Sequence, residues 1–175
     1  MKRILSEETT REVEAIAAEK GCRLLAIESA GAGRFTVLRV VLERPDGSPV
    51  SVDDCEKVSR EVSAVLDAAD EIAHRYTLEV SSAGLERKLY SLEDAQRFVG
   101  SRVRVQTEVP ITPEAPEAQT RVTSPARNFR GRLERVEGDR LRIVDEAERK
   151  IYNVRFGDIR LARLDFEWPE RRRGR

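Results

Sequence analysis

Residues 76–89, YTLEVSSAGLERKL, constrain the fold of this 175-residue chain more than any other stretch. Tyr76, Leu78 and Val80 alternate with Thr77, Glu79 and Ser81. A period of two turns one set of side chains toward a core and the other toward solvent. The run then enters Ser82-Ala83-Gly84, where a residue without Cβ suits a sharp change of direction. Glu86-Arg87-Lys88 follow before the next apolar residue, Leu89. From its residues alone, this is a strand that ends in a turn.

Upstream of that strand the pattern reads helix, strand, strand, helix. Ser6 is placed to cap a helix whose first turn holds Glu7 and Glu8, acids that favour the positive end of the helix dipole. Val13, Ile16 and Ala17 form its apolar stripe and Gly21 stops it. Residues 22–29 are expected as a strand with Leu25 and Ile27 on one face. The flexible stretch 30–33 then leads to an almost wholly apolar strand, 35–43, interrupted by Arg39. Residues 45–49, PDGSP, have turn chemistry. Ser51 with Asp54 three residues on opens a second helix. Its core stripe is Cys55, Val58, Val62, Val65, Leu66 and Ala69. Three strands with two helices on one face predict a two-layer α/β sandwich for residues 1–90.

Downstream, Ser91 caps a short helix over 92–99 that Gly100 ends, so residues 91–100 read as a linker helix. Short alternating strands are expected at 102–107, 128–136, 140–144, 150–154 and 159–166. Five short strands with tight turns point to a small barrel of SH3 or Sm type over 101–168. Residues 108–126 hold four of the seven prolines and no periodicity, and are expected to form one long loop. The tail 169–175, PERRRGR, is too charged to pack and is expected to be disordered. The fold class is therefore α+β.

Charge and residue chemistry narrow the function. Lys+Arg and Asp+Glu balance at 32 each, which argues against a protein held on nucleic acid by bulk charge. The balance conceals an asymmetry: residues 1–90 carry 13 basic and 17 acidic groups, and residues 91–175 carry 19 and 15. Of those 19, 18 are arginine, whose planar fork suits phosphate and carboxylate. Cys22 and Cys55 lack metal-ligand spacing and read as small buried hydrophobes. No apolar run approaches a membrane span and the N-terminus has no signal-peptide core, so a soluble cytoplasmic protein is expected. No P-loop, zinc-protease or nucleophile-elbow motif occurs. His74, the sole histidine, has no partner motif, and Gly31-Ala32-Gly33 opens a strand where a dinucleotide site needs a helix. Carboxylates such as Glu7 and Glu56 sit four residues before Arg11 and Arg60, the spacing of solvated ion pairs. No catalytic residue, cofactor, metal or small-molecule substrate is expected, and nothing demands more than a monomer.

The predicted barrel does offer a binding surface. In RVRVQ, NFRGRLERV and RLRIV the arginines alternate with aliphatics, so Arg102, Arg104, Arg130, Arg132, Arg140 and Arg142 point outward. Such a face suits a phosphate backbone or an acidic partner. Interspersed Glu134, Glu137, Asp139 and Asp145, and the lack of interleaved aromatics, fit an ordinary solvated surface equally well.

The 76–89 string closely resembles the hallmark of the ribosome maturation factor RimP family, roughly Y-x-L-E-V-S-S-P-G-L-[DE]-R-P-L. It departs at Ala83 and Lys88, where the family has prolines, leaving two φ angles unrestricted. Asp53-Asp54-Cys55, Val58-Ser59-Arg60 and Leu66-Asp67 also resemble the family, as do Phe98-Val99-Gly100, Phe129-x-Gly131-x-Leu133 and the run from Ile159 to Leu164. The resemblance covers about residues 5–166. It implies an N-terminal α/β domain, a C-terminal SH3-like barrel, and a non-enzymatic factor that binds the immature small ribosomal subunit, through rRNA or ribosomal proteins, and promotes its late maturation. Ser81, Ser82, Gly84, Leu85 and Arg87 carry the family signature and are expected at a domain interface or a ribosome contact. The loop over 108–126 is longer than the family leads one to expect. The rival reading is a general RNA-binding or adaptor module. A KH-type version of it lacks the necessary GXXG, and the acidic balance of the first half disfavours free RNA.

Overall fold

The computed structural model describes residues 4–31, 36–84, 87–114, 124–145, 147 and 149–165. The chain divides into two units, Met1–Ala83 and Gly84–Arg175, each with its own hydrophobic core.

In the first unit, helix α1 (Glu7–Glu19) begins where the Ser6 hydroxyl accepts the Thr9 amide at 3.1 Å. The Glu71 carboxylate takes the Ser6 amide at 2.7 Å and the Thr9 hydroxyl at 2.6 Å. These bonds satisfy donors that the first turn leaves orphaned and hold the carboxyl of Glu71 below its usual range. Strands β1 (Arg23–Ala30) and β2 (Thr36–Glu43) pair antiparallel. Strand β3 (Tyr76–Ser82) pairs with β2 in parallel, a pairing that requires a long crossover. Helix α2 (Val52–Ala69) supplies it. The expected capping box is present: the Ser51 hydroxyl takes the Asp54 amide, and the Asp54 carboxylate takes the Ser51 amide at 2.9 Å.

The sheet order is β1-β2-β3, so β2 is central, which accounts for its nearly continuous apolar sequence. Leu38, Val40 and Leu42 of β2 share a core with Val13 and Ala17 of α1 and with Val58, Val62 and Leu66 of α2. Arg39 interrupts the run with two carboxylates beside it. In register it lies between Glu28 and Glu79, 2.7 Å from the latter.

The expectation for the first strand needs correction. Leu24 and Ile27, not Leu25 and Ile27, pack against the core. A bulge between Leu24 and Ala26 leaves Leu25 without a partner on β2, and one extra residue reverses the alternation. Cys22 is buried as expected, whereas Cys55 is only half-buried. The buried stripe of α2 runs through Asp54 instead. Ala32 and Gly33, part of the expected flexible connection, lie outside the described residues.

The second unit contains helix α3 (Leu92–Arg97) and strands β4 (Arg102–Ile111), β5 (Ala126–Glu137), β6 (Arg140–Asp145), β7 (Lys150–Arg155) and β8 (Ile159–Leu164). A single 3₁₀ turn, Phe156–Asp158, separates the last two. The sheet order is β7-β6-β5-β4-β8, antiparallel throughout. Val103, Val105, Phe129, Leu133, Leu141, Ile143, Tyr152 and Val154 build the core, with the Phe129 and Tyr152 rings stacked at 4.0 Å. Residues 91–100, expected as a linker, belong to this unit: Ala95 is part of its core, and the Gly100 amide donates to the Leu133 carbonyl at 2.7 Å.

The long loop is shorter than its prolines suggest. Strand β4 continues through residues 108–111, and Ile111 pairs with Ala126. Pro110 fits because the register shifts between Gln106 and Ile111, where a missing donor leaves no ladder bond broken. Glu114 then exchanges two backbone bonds with Ile151 of β7, at 2.8 and 3.1 Å. Residues 115–123 of the expected loop and the tail 169–175 lie outside the described residues.

Candidate nucleic-acid interface and signature segment

The signature residues fall in different environments. Ser81 and Ser82 end β3, half-buried and exposed respectively. The Ala83 amide still bonds the Leu42 carbonyl at 3.0 Å. Gly84 is exposed with φ +67° and nothing within reach of an added Cβ. A glycine suits it for its backbone angle alone. Leu85 lies outside the described residues. Arg87 is buried, and its guanidinium donates to Asp94 at 2.6 Å and lies 4.8 Å from the centre of the Phe98 ring.

Asp94 is itself buried at the start of α3, where it also accepts the Tyr90 amide at 3.2 Å. Backbone bonds at 2.8 Å from Leu89 to Ala162 and from Leu164 to Arg87 lay residues 87–89 along β8. Arg87 is thus engaged within the second unit by an ion pair, a ring contact and strand pairing. The Arg-Asp spacing of seven residues across a turn gives no periodic signal, so alternation could not reveal this pair.

The arginines gather more closely than alternation foretold. Arg102 stands opposite Arg132, and Arg104 opposite Arg130. Arg104 also stands opposite Arg163 of β8, and Arg163 opposite Lys88. Arg130, Arg104, Arg163 and Lys88 therefore form one cationic row, spanning roughly 14 Å at the usual strand spacing. Opposed like charges on a sheet destabilise it unless something neutralises them. Asp165 pairs with Arg104 at 2.9 Å, and Arg132 donates to the Gly100 carbonyl at 2.7 Å. Arg130 is exposed and has no ion-pair partner among the described residues. Arg163 escapes sequence reasoning because it is three residues from Arg160, so strict alternation turns only one of them outward. The register shift opposite Gln106 and Thr107 skips Arg160, which is exposed, and sets Arg163, half-buried, opposite Arg104.

Arg140 and Arg142 belong to a different neighbourhood. Arg142 is half-buried and paired with Glu134, with Glu114 at 3.7 Å. Arg140 is opposite Glu137 on one side and Arg155 on the other. With Arg135 and Asn153 they line a polar cavity of about 310 Å³. Three arginines and two glutamates line it, so most of its charge is offset from within.

Among the described residues, the residues of catalytic type stand apart. His74 is exposed. Burial pushes the Cys22 and Cys55 thiols up, away from the thiolate form that a nucleophile needs. No cluster of three or more metal-ligating side chains occurs among the described residues. No helix among them is long and apolar enough to cross a membrane. Asp54 has the most perturbed carboxyl, held at about 2 by the Ser51 hydroxyl and amide and by Arg44 at 2.8 Å. Those bonds serve the cap of α2.

Against this geometry, one comparison is decisive for the first unit. Residues 12–86 match the family model of the RimP N-terminal domain. The first unit is similar to the RimP N-terminal domain. The match takes in α2 with its Asp-Asp-Cys opening and ends inside the 76–89 hallmark. It supports membership of the RimP ribosome maturation factor family for a chain whose second unit lies almost wholly beyond the matched residues. Within the 76–89 string, Thr77, Ser82 and Gly84 are the exposed described positions, while Arg87 is buried.

Proposed function

We propose that this protein is a non-enzymatic ribosome assembly factor that binds the immature small ribosomal subunit and promotes its late maturation. The match of residues 12–86 to the RimP N-terminal domain carries the reading. The cationic row on β5, β4 and β8 supports it, because stacked like charges favour a polyanionic partner. On this reading the second sheet closes as a small SH3-like barrel, and Arg102, Arg104, Arg130 and Arg132, joined by Arg163 and Lys88, face rRNA phosphate. Arg142 is secondary, since Glu134 and Glu114 already pair with it, and Arg140 lies outside the row, opposite Glu137 in the sheet. Ser81, Ser82 and Gly84 are the signature positions left for a ribosome contact.

The protein acts as a cytoplasmic monomer and needs no cofactor. An assembly factor must let go, so it requires a difference in affinity between immature and mature particles, not high affinity for both. Balanced net charge suits that need, since a strongly basic chain would adhere to any RNA. Co-sedimentation with immature and mature small subunits over a salt series tests the proposal. Preferential retention on the immature particle is the expected result. Equal binding to both particles and to free RNA would instead identify a general RNA-binding module.

A further inference from the structure

The sheet order leaves β1 at an edge, and no described residue pairs with its outer side. A groove of about 620 Å³ lies between that strand and α1. Its strand wall is Leu24, Leu25, Ala26 and Ile27, four residues in succession. A sheet face would contribute every second residue, so the groove runs along the edge itself, where unpaired backbone groups lie. The bulge at Leu25 adds an apolar side chain to the same wall. The helix wall contributes Glu7, Thr10, Arg11 and Glu14. Arg11 is 3.9 Å from Glu7, and Glu14 has no ion-pair partner among the described residues.

We infer that this groove receives an extended peptide that adds to β1 as a further strand, with apolar residues alternating with Lys or Arg. A helix beside an open strand edge is the setting in which peptides bind by strand addition, main-chain bonds giving affinity and alternate side chains specificity. Apolar residues of the peptide meet Leu24, Leu25 and Ile27, and its cations meet α1, whose 13 residues hold five glutamates and one arginine. The same charge argues against a second copy of this chain, because edge-to-edge pairing would bring two acidic helices together. The site goes beyond the assembly-factor reading: the arginine row addresses phosphate, whereas the groove addresses a protein segment.

The test is an NMR titration of the isotope-labelled full chain with an alternating lysine–valine peptide about ten residues long, and with its glutamate–valine counterpart. Saturable shifts confined to α1 and β1, seen with the basic peptide alone, are expected. Glu14→Lys should weaken binding roughly twofold to fivefold, whereas Glu93→Lys, on α3 of the second unit, should leave it unchanged. Equal binding of the acidic peptide, equal loss with both variants, or no saturable shift would overturn the inference. Concentration-dependent shifts of β1 without peptide would overturn the occupant in favour of a second copy.

Discussion

Arg87 and Gly131 show how a single side chain acquires its role from what surrounds it. Arg87 sits in a charged string that reads as a surface, yet it is 5% exposed and bound to an Asp94 that is equally buried. Removing one partner of such a pair leaves the other charge desolvated. Asp94→Asn should therefore cost roughly 3 kcal/mol or more in urea unfolding followed by circular dichroism. Replacing both residues with apolar ones of similar size should recover much of that loss. Gly131 faces the backbone of β6, where an added Cβ would stand 2.4 Å from the Val144 carbonyl oxygen. Gly131→Ala must push two paired strands apart, and should destabilise the second unit by about 1–3 kcal/mol. Gly84→Ala differs in kind, since space is open there and only the positive φ is strained. A loss nearer 1 kcal/mol is expected in the same assay.

At the scale of elements, α2 depends on its N-terminus. Ser51, Asp54 and Arg44 form one polar knot, and Ser51→Ala should cost about 1 kcal/mol. The carboxyl of Asp54 sits at about 2, below its ordinary 3.8. The unfolded chain therefore takes up this proton first as pH falls. The stabilisation from Asp54 is complete above its ordinary value and disappears as pH drops through about 2. Denaturation midpoints of the natural chain and of Asp54→Asn should accordingly differ at pH 6 and converge toward pH 2. Glu71, bonded to Ser6 and Thr9 at the start of α1, is shifted the same way and adds to acid sensitivity of the first unit.

Across the whole molecule, charge is divided by position more than by amount. The acidic first half holds most of the match to the RimP N-terminal domain, and the arginine-rich second half concentrates cations where β5, β4 and β8 lie side by side. If the row binds phosphate, each contact contributes a little under one unit to the slope of log affinity against log salt. Arg130→Ala with Arg132→Ala should weaken binding to immature subunits and flatten that slope by roughly 1.5–2. Arg140→Ala should change it little, since Glu137 stands opposite Arg140 in the sheet. An unaltered slope in the double variant would remove Arg130 and Arg132 from the interface.

What the sequence determined on its own was whatever depends on near neighbours in the chain. Caps at Ser6, Ser51 and Ser91 were legible because the donors they satisfy lie three residues away. The hallmark strand was legible because alternation is local, as was the outward aim of Arg104, Arg130 and Arg132. Tertiary structure decided the rest. The bulge beside Leu25 and the register of β8 each depend on a partner strand, and a shift of one residue reverses which side chains face out. Pairing across space buried Arg87 with Asp94, gathered Arg163 and Lys88 into the cationic row, and drew Glu114 onto β7. Local pattern fixes which way a residue points relative to its own strand; only the neighbouring strands determine what it meets there.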